Sequence, residues 1–186
     1  MSVIDMVLQV HERLQSTSRS HAFGGALALA YIAEPRGTVD VDVNVFTPLA
    51  EIDEVLTAFD AIGLEPERAQ ADWIPAAGIR LRRRDDPFPV DVFPSLDEQR
   101  YAEVERRCVR HPFGPTGTEL PFLSAEDLAT FKLSFGRDKD WVDLRAIAVA
   151  RPDLDVGYVE RQLLGLRGPH MHPRIARLRQ ILRGDL

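Results

Sequence analysis

One cysteine, Cys108, stands in 186 residues, so the chain forms no disulfide within itself. Such a chain suits a reducing cytosol. Long apolar runs are missing as well. The longest, around Ala26 to Ala33, falls far short of the roughly 20 residues that a membrane span needs, and no leader pattern is present, so a soluble cytoplasmic protein is expected. Excess positive charge is also absent: 23 Lys and Arg stand against 29 Asp and Glu, a formal net charge of -6. That argues against a surface that grips nucleic acid everywhere, while leaving room for a local basic groove. Lysine itself is scarce. Only Lys132 and Lys139 occur, both in one segment, where a compact ammonium suits a phosphate group; the other basic residues are arginine.

What is present is concentrated between His21 and Phe46. From Thr38 to Phe46 polar and apolar residues alternate, with Thr38, Asp40, Asp42 and Asn44 on one side and Val39, Val41, Val43 and Val45 on the other. This is the period of a half-buried strand. Asp40 and Asp42 then share a face about 7 Å apart, and two carboxylates on one rigid face invite a divalent metal. Upstream, a short stretch from Ser20 to Phe23 leads into Gly24-Gly25 and the helix-forming run Ala26 to Ala33, a strand, turn and helix. A glycine turn opening a helix lets a phosphate approach bare backbone N–H groups at the positive end of the helix dipole.

The remaining periodicity frames this stretch. Ser2 to Leu14 and Pro48 to Ile62 have the spacing of packing helices, the second ended by Gly63 and carrying Pro48 in its first turn. Gly78 to Arg84 and Phe88 to Phe93 read as strands joined by Asp85-Asp86-Pro87. Asp91, between Val90 and Val92, is then a third acidic candidate on the polar face. Arg80, Arg82 and Arg84 share one face, either lining the approach to a site or charging a solvated edge. Tyr101 to Pro121 yields no more than a short strand or connection, with His111 structural. Ser124 caps a helix with Asp127 at its third position and Leu123 and Leu128 as a staple. Leu128, Phe131 and Phe135 form its buried stripe, and Lys132 lies beside it. A following helix carries Asp140 and Asp143 at i, i+3, with Trp141, Leu144, Ile147 and Ala148 packed. Two more helices are expected, around Asp155 to Leu166 and Pro173 to Arg183, the last rich in arginine. His170-x-His172 reads as a loop. The organisation expected is a core over residues 1–122 and a helical part over 123–186 in one compact unit.

Gly24-Gly25-x-Ala followed by Arg36-x-Thr38-x-Asp40-x-Asp42 resembles the signature of the polymerase-beta-like nucleotidyltransferases. The closer likeness is to their minimal bacterial branch, the AbiEii-type and MenT-like toxin enzymes. Ser124 to Arg145, with a lysine-bearing helix before Arg137-x-Lys139-Asp140-x-x-Asp143, resembles the downstream motif of the same family. The resemblance implies an α+β nucleotidyltransferase fold, a mixed sheet flanked by helices with a C-terminal helical segment. It implies Asp40, Asp42 and Asp91 as ligands of two Mg²⁺ ions, and Gly24 and Gly25 as the cradle of a nucleoside triphosphate. Thr38 is placed in the same nucleotide site, with Lys132 neutralising phosphate charge and Arg36 and Arg137 as further candidates. The function it implies is NMP transfer to an acceptor, foremost a tRNA 3′ end, by a toxin restrained by a cognate antitoxin. Transfer to a protein or a small molecule such as an aminoglycoside is the second option, and a silent nucleotide-binding or partner-binding module the third. Many relatives carry Gly-Ser where this chain has Gly24-Gly25. The toxin branch also has the Gly-Gly form.

Overall fold

The structure is a computed structural model that describes residues 2–69, 78–84 and 86–185. Its frame is a seven-stranded mixed sheet in the order β3-β4-β5-β2-β1-β7-β6. In chain order the strands are β1 His21–Phe23, β2 Val41–Pro48, β3 Glu65–Pro66, β4 Ile79–Arg82, β5 Val90–Ser95, β6 Val109–Phe113 and β7 Thr118–Phe122. The helices are α1 Val3–Ser16, α2 Gly25–Ile32, α3 Ile52–Asp60, α4 Glu98–Arg107, α5 Ala125–Phe135, α6 Asp138–Ala150, α7 Val156–Arg167 and α8 His172–Arg183. The architecture is α+β, a mixed sheet flanked by helices, as the sequence leads one to expect.

Alternation sets the two faces of the sheet. Val41, Val43 and Val45 of β2, Val90 and Val92 of β5, and Ile79 and Leu81 of β4 are all buried. Side chains on these strands alternate, so Asp42 and Asn44, Asp91 and Phe93, and Arg80 stand on the opposite face. β2 begins at Val41, three residues later than the alternation predicts. Val39 is 68% exposed and outside the core. The cause is local: the Thr38 hydroxyl bonds the Asp40 carboxylate and backbone, turning the chain before the ladder starts. Pro48 closes β2 instead of opening a helix, and a 3-10 turn, Leu49–Glu51, leads into α3.

The pairing places two acids side by side. β2 and β5 run parallel with Asp42 opposite Asp91, and β4 runs antiparallel to β5 with Arg80 opposite Asp91. Of the turn expected between those last two strands, Asp85 lies outside the described residues.

Ser124 caps α5 by accepting from the Asp127 N–H, and Gly136 ends it with φ +65°. Asp155 caps α7 in the same way. Leu128, Ala129 and Leu133 enter the core from α5, whereas Phe131 and Phe135 are only half-buried, a correction to the stripe read from spacing. The helix turns a different side to the sheet because α6 and α7 both pack on it. α4 was not anticipated in the stretch after Tyr101. Its sequence EQRYAEVERR buries only Tyr101 and Val104, too thin a stripe to register against seven polar neighbours. β6 and β7 form the hairpin that completes that side of the sheet, where His111 stacks on Tyr31 with ring centroids 4.4 Å apart. One apolar cluster runs from Met6 on α1 to Ile181 on α8.

Candidate active site

The start of α2 fixes the site's geometry. The Gly24 N–H donates to the Asp42 carbonyl at 2.9 Å, tying the glycine turn to β2. Gly25 follows with φ +53°, a conformation that glycine adopts without strain. A Cβ at Gly25 would overlap the Asp42 carboxylate, so this position has no room for serine as long as Asp42 stays where it is. The Gly-Gly form therefore reflects a carboxylate lying directly over the turn. The turn and the acid are one packed unit.

Around that unit lies an open cleft of ≈ 530 Å³, its solvent-facing mouth included. Gly25, Arg36, Thr38, Asp40, Asp42, Lys132 and Arg137 all line it, drawn from the turn, β2, α5 and the start of α6. Asp91 stands at its edge beside Asp42. Asp42 bears the greatest electrostatic burden. Burial, then the neighbouring charges of Asp40 and Asp91, push its pKa up to about 6, against weaker pulls from Lys132 and Lys139. Asp40 moves the other way: burial opposes it, but the Thr38 hydroxyl at 2.7 Å, Lys139 and Arg80 together hold it below the usual carboxylate value.

The basic residues are largely matched to acids. Asp143, 1% exposed, takes a fork from Arg36 at 2.8 and 2.9 Å and the Lys132 ammonium at 2.5 Å. Burial alone would raise the Asp143 pKa, but these bonds bring it below the usual value. Lys132 and Arg36 thus share one carboxylate, which anchors both to α6 and leaves the trio one net positive charge. Arg137 is tied to Asp140 by its Nε at 2.8 Å and lies over the Phe135 ring at 4.8 Å. Thr38 is spent on Asp40, so its place is that of a support.

Three features take a more definite place than the sequence reading gave them. Lys139 is exposed, lines the cleft and acts on both Asp40 and Asp42, so the second lysine belongs to the site as much as the first. Phe93, Phe131 and Phe135 form an aromatic wall, with Phe93 edge-on to Phe135 at 5.9 Å. Arg80 reaches Asp91 with Nε and Nη2 at 2.7 and 2.6 Å and comes within 3.8 Å of Asp40. Shared alternation with Asp91 was the available signal for Phe93. For Arg80 the signal was a register that no single strand contains.

The donor set suits a hard divalent cation, since it is carboxylate oxygen throughout and, among the described residues, no Lys or Arg forms an ion pair with Asp42. Among the described residues, no three His, Cys, Asp or Glu side chains are already gathered as a metal cluster. Arg80 holds Asp91.

Several arginines of β4 and α8 are engaged within the chain. Arg82 pairs with Glu67, Arg174 donates to the carbonyls of Leu133 and Ser134, Arg177 covers the Trp141 ring, and Arg179 pairs with Glu160. His172 lies 3.7 Å from Glu160. No helix among the described residues is long and apolar enough to cross a membrane.

No family model matches the chain, and no curated protein does. Solved structures do. The antibiotic-resistance factor ANT(2'')-Ia in solution aligns over 97% of both chains with TM-score 0.58 at 16% identity. Its crystal structure in complex with adenylyl-2''-tobramycin aligns over 88% of this chain and 96% of that one, with TM-score 0.60 at 14% identity. The lincomycin-bound lincosamide antibiotic adenylyltransferase LnuA aligns over 76% and 93%, with TM-score 0.54 at 12% identity. At such identities the likeness is one of fold, and the fold is that of nucleotidyltransferases.

Proposed function

We propose, with the nucleotidyltransferase fold as premise, that this chain transfers NMP from a nucleoside triphosphate to a hydroxyl of a small-molecule acceptor. The observation that carries it is Asp42: in register with Asp91, packed over the Gly24-Gly25 turn, and short of positive charge. Asp40, Asp42 and Asp91 would hold Mg²⁺, which supplies Lewis-acid activation of the attacking oxygen and charge relief on the leaving phosphates. The α2 N-terminus receives the phosphates on backbone N–H groups. Lys139, Lys132 and Arg36 lower the negative potential around them, the last two held in place by Asp143. The acceptor oxygen bonds to the α-phosphorus as the α–β bridging bond breaks. Pyrophosphate leaves with that electron pair, and the hydroxyl proton passes to the Asp91 carboxylate.

Two observations support a small acceptor. Arg174, Arg177 and Arg179 of α8 and the Arg82 side chain are committed to partners within the chain, which reduces the basic groove that an RNA backbone needs. Next to the acids, the aromatic wall of Phe93, Phe131 and Phe135 provides stacking area for a ring. ANT(2'')-Ia, which aligns along its full length, is an antibiotic-resistance factor.

A second reading keeps the RNA acceptor, a tRNA 3′ end, with the chain as a toxin restrained by an antitoxin. What favours it is Gly25, whose packing against Asp42 requires the Gly-Gly form found in the toxin branch that the sequence resembles.

Purified protein incubated with Mg²⁺ and each α-labelled nucleoside triphosphate decides between them. Separate reactions would receive an aminoglycoside and lincosamide panel, total RNA, or neither. Label on a small molecule, lost in Asp42→Asn, is the expected result. Label on a tRNA-sized band would transfer the conclusion to the second reading. Absence of transfer in every reaction, together with no binding of triphosphate, would overturn both.

A further inference from the structure

Most of the charges in the cleft pair off. Arg36 and Lys132 share Asp143, Arg137 takes Asp140, and Arg80 takes Asp91. Of these contacts the Arg80 fork differs in one respect, since its partner is one of the three acids proposed to receive the cation. Nε donates to Asp91 Oδ1 at 2.7 Å and Nη2 to Oδ2 at 2.6 Å, so both oxygens of that carboxylate are engaged. The same Nη2 lies 3.8 Å from Asp40 Oδ2. The guanidinium therefore bridges two of the three acids. It takes the position of positive charge between them.

Arg80 is placed there by the ladder. It lies opposite Asp91 across the antiparallel β4–β5 pair, on the face that Asp42 shares through the parallel β5–β2 pair. Directly opposed residues have Cβ atoms about 4.5–5.5 Å apart, within easy reach of an arginine fork. Its side chain is 40% exposed against 14% for Asp91, so the arginine has solvent to swing into and the acid does not. A divalent cation placed between Asp40 and Asp91 would meet a fixed unit charge at a few ångströms, and the two cannot share these oxygens.

We propose that Arg80 is the built-in counter-ion of the acidic face, which a divalent cation has to displace from Asp91 before the three carboxylates can act together. Without the metal, Arg80 keeps Asp40 and Asp91 from repelling each other. With it, the guanidinium swings out toward solvent and Asp91 turns to the cation. Arg80 is thus a positioning residue that sets the cation affinity of the site. Arg82, two residues on and paired with Glu67 away from the acids, has no such role.

This rests on the reading that Asp40, Asp42 and Asp91 hold a divalent cation, and the test separates the two. Mn²⁺ binding to nucleotide-free protein is followed by the loss of the free-ion electron paramagnetic resonance signal in wild type, Arg80→Gln, Arg82→Gln and Asp42→Asn. Removing a unit charge beside the site lowers the Mn²⁺ Kd of Arg80→Gln at least about tenfold, while Arg82→Gln binds as wild type does and Asp42→Asn loses binding. Thermal melts provide the second readout: Arg80→Gln melts below wild type in EDTA and gains more from added Mn²⁺. Equal or weaker Mn²⁺ binding by Arg80→Gln, with wild type binding normally, overturns the role of Arg80 and leaves the cation reading intact. No Mn²⁺ binding by either protein overturns both.

Discussion

Asp42 shows how a single side chain is made unstable for a purpose. A carboxyl that ordinarily titrates near 3.8 is carried to about 6 by burial, with Asp40 and Asp91 adding to the shift. Between those two values the folded protein holds more protons than the unfolded chain, so metal-free stability falls as pH rises through that window. The penalty is fully present above pH 6. Asp42→Asn removes the charge without changing the shape, and so is expected to stabilise the metal-free protein at pH 7.5 by up to about 3 kcal/mol. The gain should vanish near pH 4, where the native carboxyl is protonated as well. Urea unfolding in EDTA at the two pH values measures this, and a variant less stable than wild type at pH 7.5 would show that Asp42 is satisfied by the protein. The variant that gains stability is the one expected to lose transfer, a trade typical of reactive sites. Gly24, Gly25, Asp40 and Asp42 were legible from the sequence because a turn, a helix start and an alternating strand are all local patterns. Arg80 was ambiguous between site and edge because its partner Asp91 is set by strand pairing, and no local pattern encodes that register.

At the scale of elements, the two ends of β1 do different work. Its C-terminal end leads to the glycine turn, while His21 at its start is buried against His11 of α1. His21 Nδ1 faces the Arg19 carbonyl at 3.0 Å, so that nitrogen carries the proton and Nε2 accepts from His11 Nδ1 at 3.0 Å. This arrangement needs the His21 ring neutral, because its Nε2 must keep a lone pair to accept. Burial, with smaller effects from His11 and Arg110, depresses His21 to about 4, and His11 is lowered mainly by burial too. A histidine with a depressed folded pKa contributes stability that is whole above its unfolded value near 6.5 and is lost as pH falls toward 4. The expected loss from His21 is up to about 3 kcal/mol over that interval. His21→Asn should therefore lose less stability than wild type between pH 7 and pH 4.5 in urea titrations. Parallel slopes in the two proteins would remove His21 from the account. Asp155 was read only as the start of α7, whereas the cap of α5 was readable as Ser124 because a cap is encoded within four residues. α4 and the half-exposed placement of Phe131 and Phe135 were not. Which side of a helix is buried depends on what packs on it, and α5 is contacted by α2, α6 and α7 at once.

For the whole molecule, the helices after Leu123 are part of the site and of the core. Lys132, Arg137, Lys139 and Asp140 reach the cleft from α5 and the start of α6, Asp143 holds Lys132 in place, and the apolar cluster passes without a break from the sheet into α8. We propose that the boundary expected near residue 122 is a change of secondary structure within one cooperative unit. Calorimetry is expected to show a single transition with calorimetric and van't Hoff enthalpies in agreement. Two resolved transitions would establish a separable helical part.

The sequence alone determined the strand with Asp42, the glycine turn, the Ser124-capped helix and the α+β class, since each depends on neighbours within a few residues or on composition. The tertiary structure decided which acids meet. It put Asp91 beside Asp42 by parallel pairing, gave Asp91 to Arg80, tied Arg36 and Lys132 to Asp143 across 107 and 11 residues of chain, and engaged Arg174, Arg177 and Arg179 of α8 inside the fold. These partnerships join residues remote in the chain. They exist only once the register of the sheet and the docking of α5 and α6 are fixed.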